Sequence, residues 1–183
     1  MKKTIPLLIA VLLCQGCKES KYENEDVNTK RAVRVDFNDA DWLSAVKSAR
    51  ESFPIFLEKV SKDSDGRPSS PSKAVLKAYF SDISAPKDGE HLWIAYVDYD
   101  GENIYGVVES NPLNLDTPKL GDEVRFTLDQ LTDWLVVREG KASGAYTINL
   151  LRSRMTQSEL KAYDSHYQFK FAEIKPAQQS RGW

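Results

Sequence analysis

The string Glu90-His91-Leu92-Trp93 is the most suggestive place for chemistry in this chain. A histidine is the side chain whose ordinary pKa lets it act as a general base near neutral pH, so His91 is a catalytic candidate. Glu90 or Asp133 would be its carboxylate partner. Residues two apart on a strand share a face, so His91 and Trp93 would point the same way and Trp93 could line a ligand site. The plainer reading is a histidine at a strand end, after the loop Pro86-Lys87-Asp88-Gly89, hydrogen-bonded locally beside a core tryptophan. Asp133-Trp134 divides in the same way. It is either a carboxylate and aromatic ring at a pocket mouth, or a turn aspartate bonding backbone amides beside a core ring. Tyr146, two residues after Gly144, is a further binding candidate; there the glycine would permit a close approach of backbone to sheet. Arg138, Lys141, Arg152 and Arg154 are cations that could recognise an anionic glycan or phosphate, or simply form a solvated face. Arg152 is the one retained as a ligand-binding candidate.

Other chemistries lack their residues. Only His91 and His166 could supply imidazole, and nothing has metal-ligand spacing, so neither a metal nor another cofactor is expected. Asp98 to Asn103 carries oxygen ligands near Gly101 but not a full calcium loop, and reads as a hairpin turn. The two Ser-x-x-Lys strings, Ser44 to Lys47 and Ser70 to Lys73, lack the partner motifs of penicillin-recognising enzymes. Gly140-Lys141 is no phosphate loop, and there is no Gly-x-Ser-x-Gly elbow. The 183 residues are 41% apolar and 28% charged, which suits one globular domain. Lys and Arg number 25 against 27 Asp and Glu, so no cationic excess points to nucleic acid.

The first residues read as an address. Lys2 and Lys3 precede an apolar run, Ile5 to Leu13, too short to span a bilayer. Gly16 before Cys17 resembles the lipobox of bacterial lipoproteins, with Cys14 standing where leucine is usual. The resemblance implies cleavage after residue 16, acylation of Cys17 and anchoring in a membrane. Lys18 favours the outer membrane by the sorting seen in enteric bacteria. Loss of residues 1–16 removes two lysines and no acids, taking the net charge from -2 to -4. Thiol catalysis is excluded if Cys14 leaves and Cys17 is acylated. Residues 17–31 then form a lipidated, polar tether.

The domain should occupy residues 32–175, with a frayed tail at 176–183. Asn38 can cap a helix onto which Phe37 staples Trp42. Trp42, Val46, Ala49, Phe53, Phe56, Leu57 and Val60 recur at helical spacing, and Pro54 inside that pattern predicts a kink or two abutting helices. Residues 63–72 are loop-forming. The period then becomes two: Ala74 to Phe80, Leu92 to Val97, Ile104 to Val108, Val124 to Phe126, Trp134 to Arg138 and Ala145 to Leu150 read as strands, with turns at Asp100-Gly101 and Glu139-Gly140. Thr156 to Glu159 is a capping box for a short helix ending near Tyr163. Tyr167, Phe169 and Phe171 suggest a last edge strand. The result is an α+β fold. An N-terminal amphipathic helix packs on a strongly bent, mainly antiparallel sheet, with a partly closed small barrel as a variant.

Several clusters then resemble one bacterial family, the YegJ-like proteins of domain of unknown function 2314. They are Ala45 to Arg50, Gly89 to Trp93, Gly106 with Asn111-Pro112, Leu120 to Val124, Asp133-Trp134 and Gly144 to Thr147. The resemblance covers roughly residues 38–165 and implies no activity. Three functions stay in play: a non-enzymatic envelope module that binds a protein or the cell wall, a periplasmic toxin-neutralising protein, and an envelope hydrolase built on His91. The partners expected are the membrane, through Cys17, and an envelope protein or cell-wall component. The location expected is the bacterial envelope, facing the periplasm.

Overall fold

The computed structural model describes residues 39–61, 71–82, 85–113 and 115–174, all within one compact unit, Val33–Trp183. Cys17, the leader, the tether, Phe37, Asn38, the loop at 63–70 and the tail from 176 lie outside the described residues.

Helix α1 (Ala40–Glu51) is capped by Asp39, whose carboxylate accepts the amides of Asp41 at 3.0 Å and Trp42 at 3.3 Å. The cap expected at Asn38 therefore sits one residue later. A carboxylate also faces the positive helix end more favourably than an amide would. Arg154 bonds the same carboxylate, which holds Asp39 down at about 2. Helix α1 stops at Ser52, because Pro54 has no N–H to continue the ladder, and α2 (Phe53–Ser61) follows directly. The two abutting helices are those the proline predicts.

Strands β1 (Lys73–Asp82), β2 (Ala85–Tyr99), β3 (Asn103–Val108) and β4 (Glu123–Thr127) form a meander. A 3-10 turn (Leu128–Gln130) leads into β5 (Leu131–Arg138), which returns beside β1, and β6 (Lys141–Gly144) follows. The order is β4-β3-β2-β1-β5-β6, with every pair antiparallel. The two outermost strands do not pair, so the sheet curls without closing into a full barrel. Register shifts interrupt three of the pairs. They fall between Phe80 and Asp82, between Ala95 and Asp98, and between Lys77 and Ala78. Each bends its strand and adds twist, which makes the sheet curl. Tyr96 occupies the second bulge with φ 51° and is 85% exposed.

Three sequence expectations are corrected. The segment 86–89 is strand rather than loop, so His91 lies inside β2 and not at its start. Residues 145–150 alternate but form helix α3 (Tyr146–Ser153), entered through Ala145 in the left-handed region. Tyr167 to Phe171 make one isolated bridge, Lys141 to Lys170, and their rings pack on one another instead of forming a strand. Helix α4 (Gln157–Asp164) starts on the expected Thr156–Glu159 box.

The core joins Ala49, Phe53 and Phe56 of the helices to Leu76, Leu92, Ile94, Ile104, Phe126, Trp134 and Val136 of the sheet. Each fully buried large side chain contributes roughly 1.5–3 kcal/mol. Leu131 to Val137 are all buried, so β5 is covered on both faces. The fold is α+β, with four α-helices and one curled antiparallel sheet among the described residues.

Candidate functional site

Two groups of residues emerge, and they are built differently. The first surrounds Asp133. Helix α3 begins where β6 ends, alongside β5, and its first amides point at the Asp133 side chain. Asp133 Oδ1 accepts from the amides of Trp134 (2.8 Å) and Tyr146 (2.9 Å). Oδ2 accepts from the amide and hydroxyl of Thr147 (2.8 and 2.6 Å) and, at 3.4 Å, from the amide of Ile148. The helix has no cap from its own N-cap residue, Ala145, and Asp133 supplies one from another strand. Lys77 is the cross-strand partner of both Asp133 and Trp93, and its ammonium lies 4.8 Å from the Trp93 ring centre. Burial pushes the Lys77 ammonium down, and Asp133 opposes that. Burial likewise lifts the Asp133 carboxyl, while Lys77, Thr147 and the amides pull it back. Every group meeting the two oxygens is a donor, an arrangement that suits the carboxylate form. Gly144 fits the close approach expected of it: at φ 77°, an added Cβ would meet the Trp134 carbonyl at 2.3 Å.

The remaining candidates of this group are held by structure. Trp134 donates its indole N–H to Ser52 at 3.0 Å and packs edge-on to Tyr146. Arg152 is 3% exposed and forms a fork with Asp164, 2.8 Å on each arm. Its third nitrogen reaches Asn149 and the Ala172 carbonyl, and its face stacks over Phe171. Arg152 thus ties α3, α4 and the last described segment together.

The second group surrounds His91. Its Nδ1 lies 3.0 Å from the Thr132 hydroxyl, which in turn reaches the Lys77 carbonyl. The rings of Trp42 and Tyr79 stand 5.5 and 5.1 Å from the imidazole. Burial first, then the Lys77 charge, pushes the His91 pKa down to about 3. The imidazole is therefore neutral throughout the range in which proteins work. It forms part of the floor of a cleft of about 340 Å³ between α1 and the 3-10 turn. One wall is a stripe of α1 from Trp42 and Leu43 to Arg50 and Glu51, and the other includes Tyr79, Asp129 and Gln130. Arg50 fixes the wall spacing by donating to the carbonyls of Leu131 (2.8 Å) and Asp129.

Glu90 and His91 do not converge. Adjacent strand residues face opposite ways, and Glu90 receives the Leu113 amide through both oxygens, at 3.0 and 2.8 Å. Asp133 is committed to α3. The sequence places His91 and Trp93 on one side of β2 but gives no sign of Tyr79, Thr132 or Arg50 as their company. Their contacts join β1, β5 and α1, and no local motif links them. Among the described residues no cluster of three or more histidines, cysteines or acids could hold a metal.

This geometry can be set beside known proteins. The model of a family described as an uncharacterized protein conserved in bacteria (DUF2314) matches residues 25–171. The chain belongs to that family. The chain is similar to the uncharacterized protein YegJ of Escherichia coli K12, 29% identical over 108 residues, or 58% of this chain and 64% of that one. A Neisseria meningitidis serogroup B protein whose name includes the words ankyrin repeat protein is 29% identical over 130 residues, or 70% of this chain and 51% of its own length. The chain thus spans about half of one relative and under two thirds of the other. No solved structure matches. Of the six clusters that resemble the family, Ala45 to Arg50 and Gly89 to Trp93 lie at the cleft, Asp133-Trp134 and Gly144 to Thr147 lie at the α3 cap, and Gly106 with Asn111-Pro112 and Leu120 to Val124 lie at neither.

Proposed function

We propose that this DUF2314 domain is a non-enzymatic binding module of the bacterial cell envelope, held at a membrane through Cys17 and presenting the cleft beside α1 to a partner. The observation that carries the reading is the separation of the acid–base candidates. Glu90 and His91 face opposite ways, Asp133 caps a helix, and the histidine is held neutral by burial. What is left open to solvent is a cleft with an aromatic floor, the form that ligand sites commonly take. Leu43, 53% exposed, stands at its rim. The apolar leader, the glycine before Cys17 and the polar residues after it support the envelope placement.

The test uses the full chain in a bacterium. A photo-crosslinking residue is placed at Leu43, or at Lys170 as a remote exposed control. One discrete adduct from Leu43 alone is the expected result. Identical products from both positions, or none, would overturn the reading. Labelling with radioactive palmitate should mark the parent chain and not Cys17→Ser, and an unlabelled parent would remove the anchor.

A further inference from the structure

We infer that the cleft between α1 and the 3-10 turn receives an uncharged aromatic side chain from a partner polypeptide. The inference rests on the binding-module reading and names what is bound there. At one end, Trp42 and Tyr79 flank a neutral His91, and Leu43 and Val46 of α1 line the same end. Ring edges and faces of this kind prefer another ring set offset or edge-on. At about 340 Å³ the cleft lies near the small end of the range for ligand sites, enough for one ring and a little more.

The charges argue for a neutral guest. Arg50 gives Nε and Nη2 to two backbone carbonyls of the opposite wall, and Lys47 pairs with Glu51 at 3.7 Å on the exposed side of α1. A charged group entering the aromatic end would lose its water and meet no charged side chain among Trp42, Leu43, Val46, Tyr79 and the neutral His91.

The shape argues for a polypeptide. The α1 wall runs from Trp42 to Glu51, nine residues further on. At 1.5 Å per residue that is about 13 Å, the span of roughly four extended residues. A ring fills only the aromatic end. The rest is a polar strip of Lys47, Glu51 and Asp129, which suits the backbone and polar neighbours of an anchored residue. An aromatic anchor in a pocket, with a polar rim that excludes water, is the usual form of an interface hot spot.

The test titrates N-acetyltryptophan amide into the full-length protein and follows the backbone amide NMR signals of Trp42, Leu43 and Thr132. N-acetylalanine amide is the control, and free indole competes. The expected result is saturable binding of the tryptophan probe at least tenfold tighter than the alanine probe, centred on those three signals. Leu43→Glu, at an exposed position, should weaken it at least tenfold with the melting temperature unchanged. Equal binding of the two probes, or a Leu43→Glu protein that binds normally, would overturn the inference. So would free indole binding tenfold tighter than the amide, which would assign the cleft to a small aromatic molecule. A Leu43 crosslink obtained without ring binding would leave the module reading standing and remove only this guest.

Discussion

Asp133 holds Thr147 by two bonds to one oxygen: Oδ2 accepts the Thr147 amide at 2.8 Å and its hydroxyl at 2.6 Å. A residue of β5 thereby does for α3 what a neighbouring serine or aspartate does for most helices. Asp133→Ala strands the α3 amides and leaves Lys77 facing no anion. We expect it to cost about 3–5 kcal/mol. Thr147→Val removes a single bond to a charged group and should cost about 2 kcal/mol. Lys77→Met should cost less than Asp133→Ala, because five donors still hold the carboxylate. Urea midpoints of the three variants check the order, and a Lys77→Met protein as unstable as Asp133→Ala would contradict it.

His91 sets a pH dependence of known sign. Its folded pKa of about 3 lies below the ordinary 6.5, so between those values the unfolded chain binds the extra proton. The His91 contribution is complete above pH 6.5 and is lost as pH falls toward 3, with a slope of at most about 1.4 kcal/mol per pH unit. Asp39 also has a depressed pKa, so its contribution is present above about 4 and fades as pH falls toward 2. His91→Gln should flatten the stability profile between pH 6 and 4 and leave the lower limb in place. An unchanged profile in the upper window would mean that the imidazole is not held neutral.

Tyr96 adopts φ 51° while its side chain stands 85% exposed. A non-glycine residue in that region costs roughly 1–2 kcal/mol, and little contact offsets it. Tyr96→Gly should keep or raise the melting temperature. A fall of several degrees would show that the ring makes contacts in the folded state.

Arg152→Lys keeps the charge and loses the fork to Asp164 together with the flat face over Phe171. The loss should be about 2–3 kcal/mol. It should be local, with faster hydrogen exchange at the Lys170 amide, which bonds the Gly140 carbonyl, than in β1 or β2. Uniform acceleration across the domain would oppose the tie described for Arg152.

The readability of this fold follows the range of the forces involved. Pro54, Asp100-Gly101, Glu139-Gly140 and Thr156–Glu159 act within a few residues, and each marks its element from sequence alone. Helix α3 is hidden because its cap is Asp133, more than ten residues away. Without that cap the alternation from Ala145 to Leu150 suggests a strand. Tyr167, Phe169 and Phe171 mislead for a similar reason, since their spacing serves ring packing and the contact with Arg152. Lys77 lies in the alternating run Ala74 to Phe80, where a lysine reads as solvent-facing. Only the cover on both faces of the sheet turns it inward. His91 and Trp93 are visible as a pair, whereas the cleft around His91 is not, because α1, β1 and β5 each supply a part.

β5 carries Thr132 beside the cleft and Asp133 at the helix cap, and it is buried from Leu131 to Val137. A strand so enclosed has no path to local opening, so its amides should exchange with solvent only when the whole domain unfolds. The two sites then share one cooperative unit. A guest in the cleft would slow exchange at the α3 cap without touching it, and damage to the cap would empty the cleft by melting the strand between them.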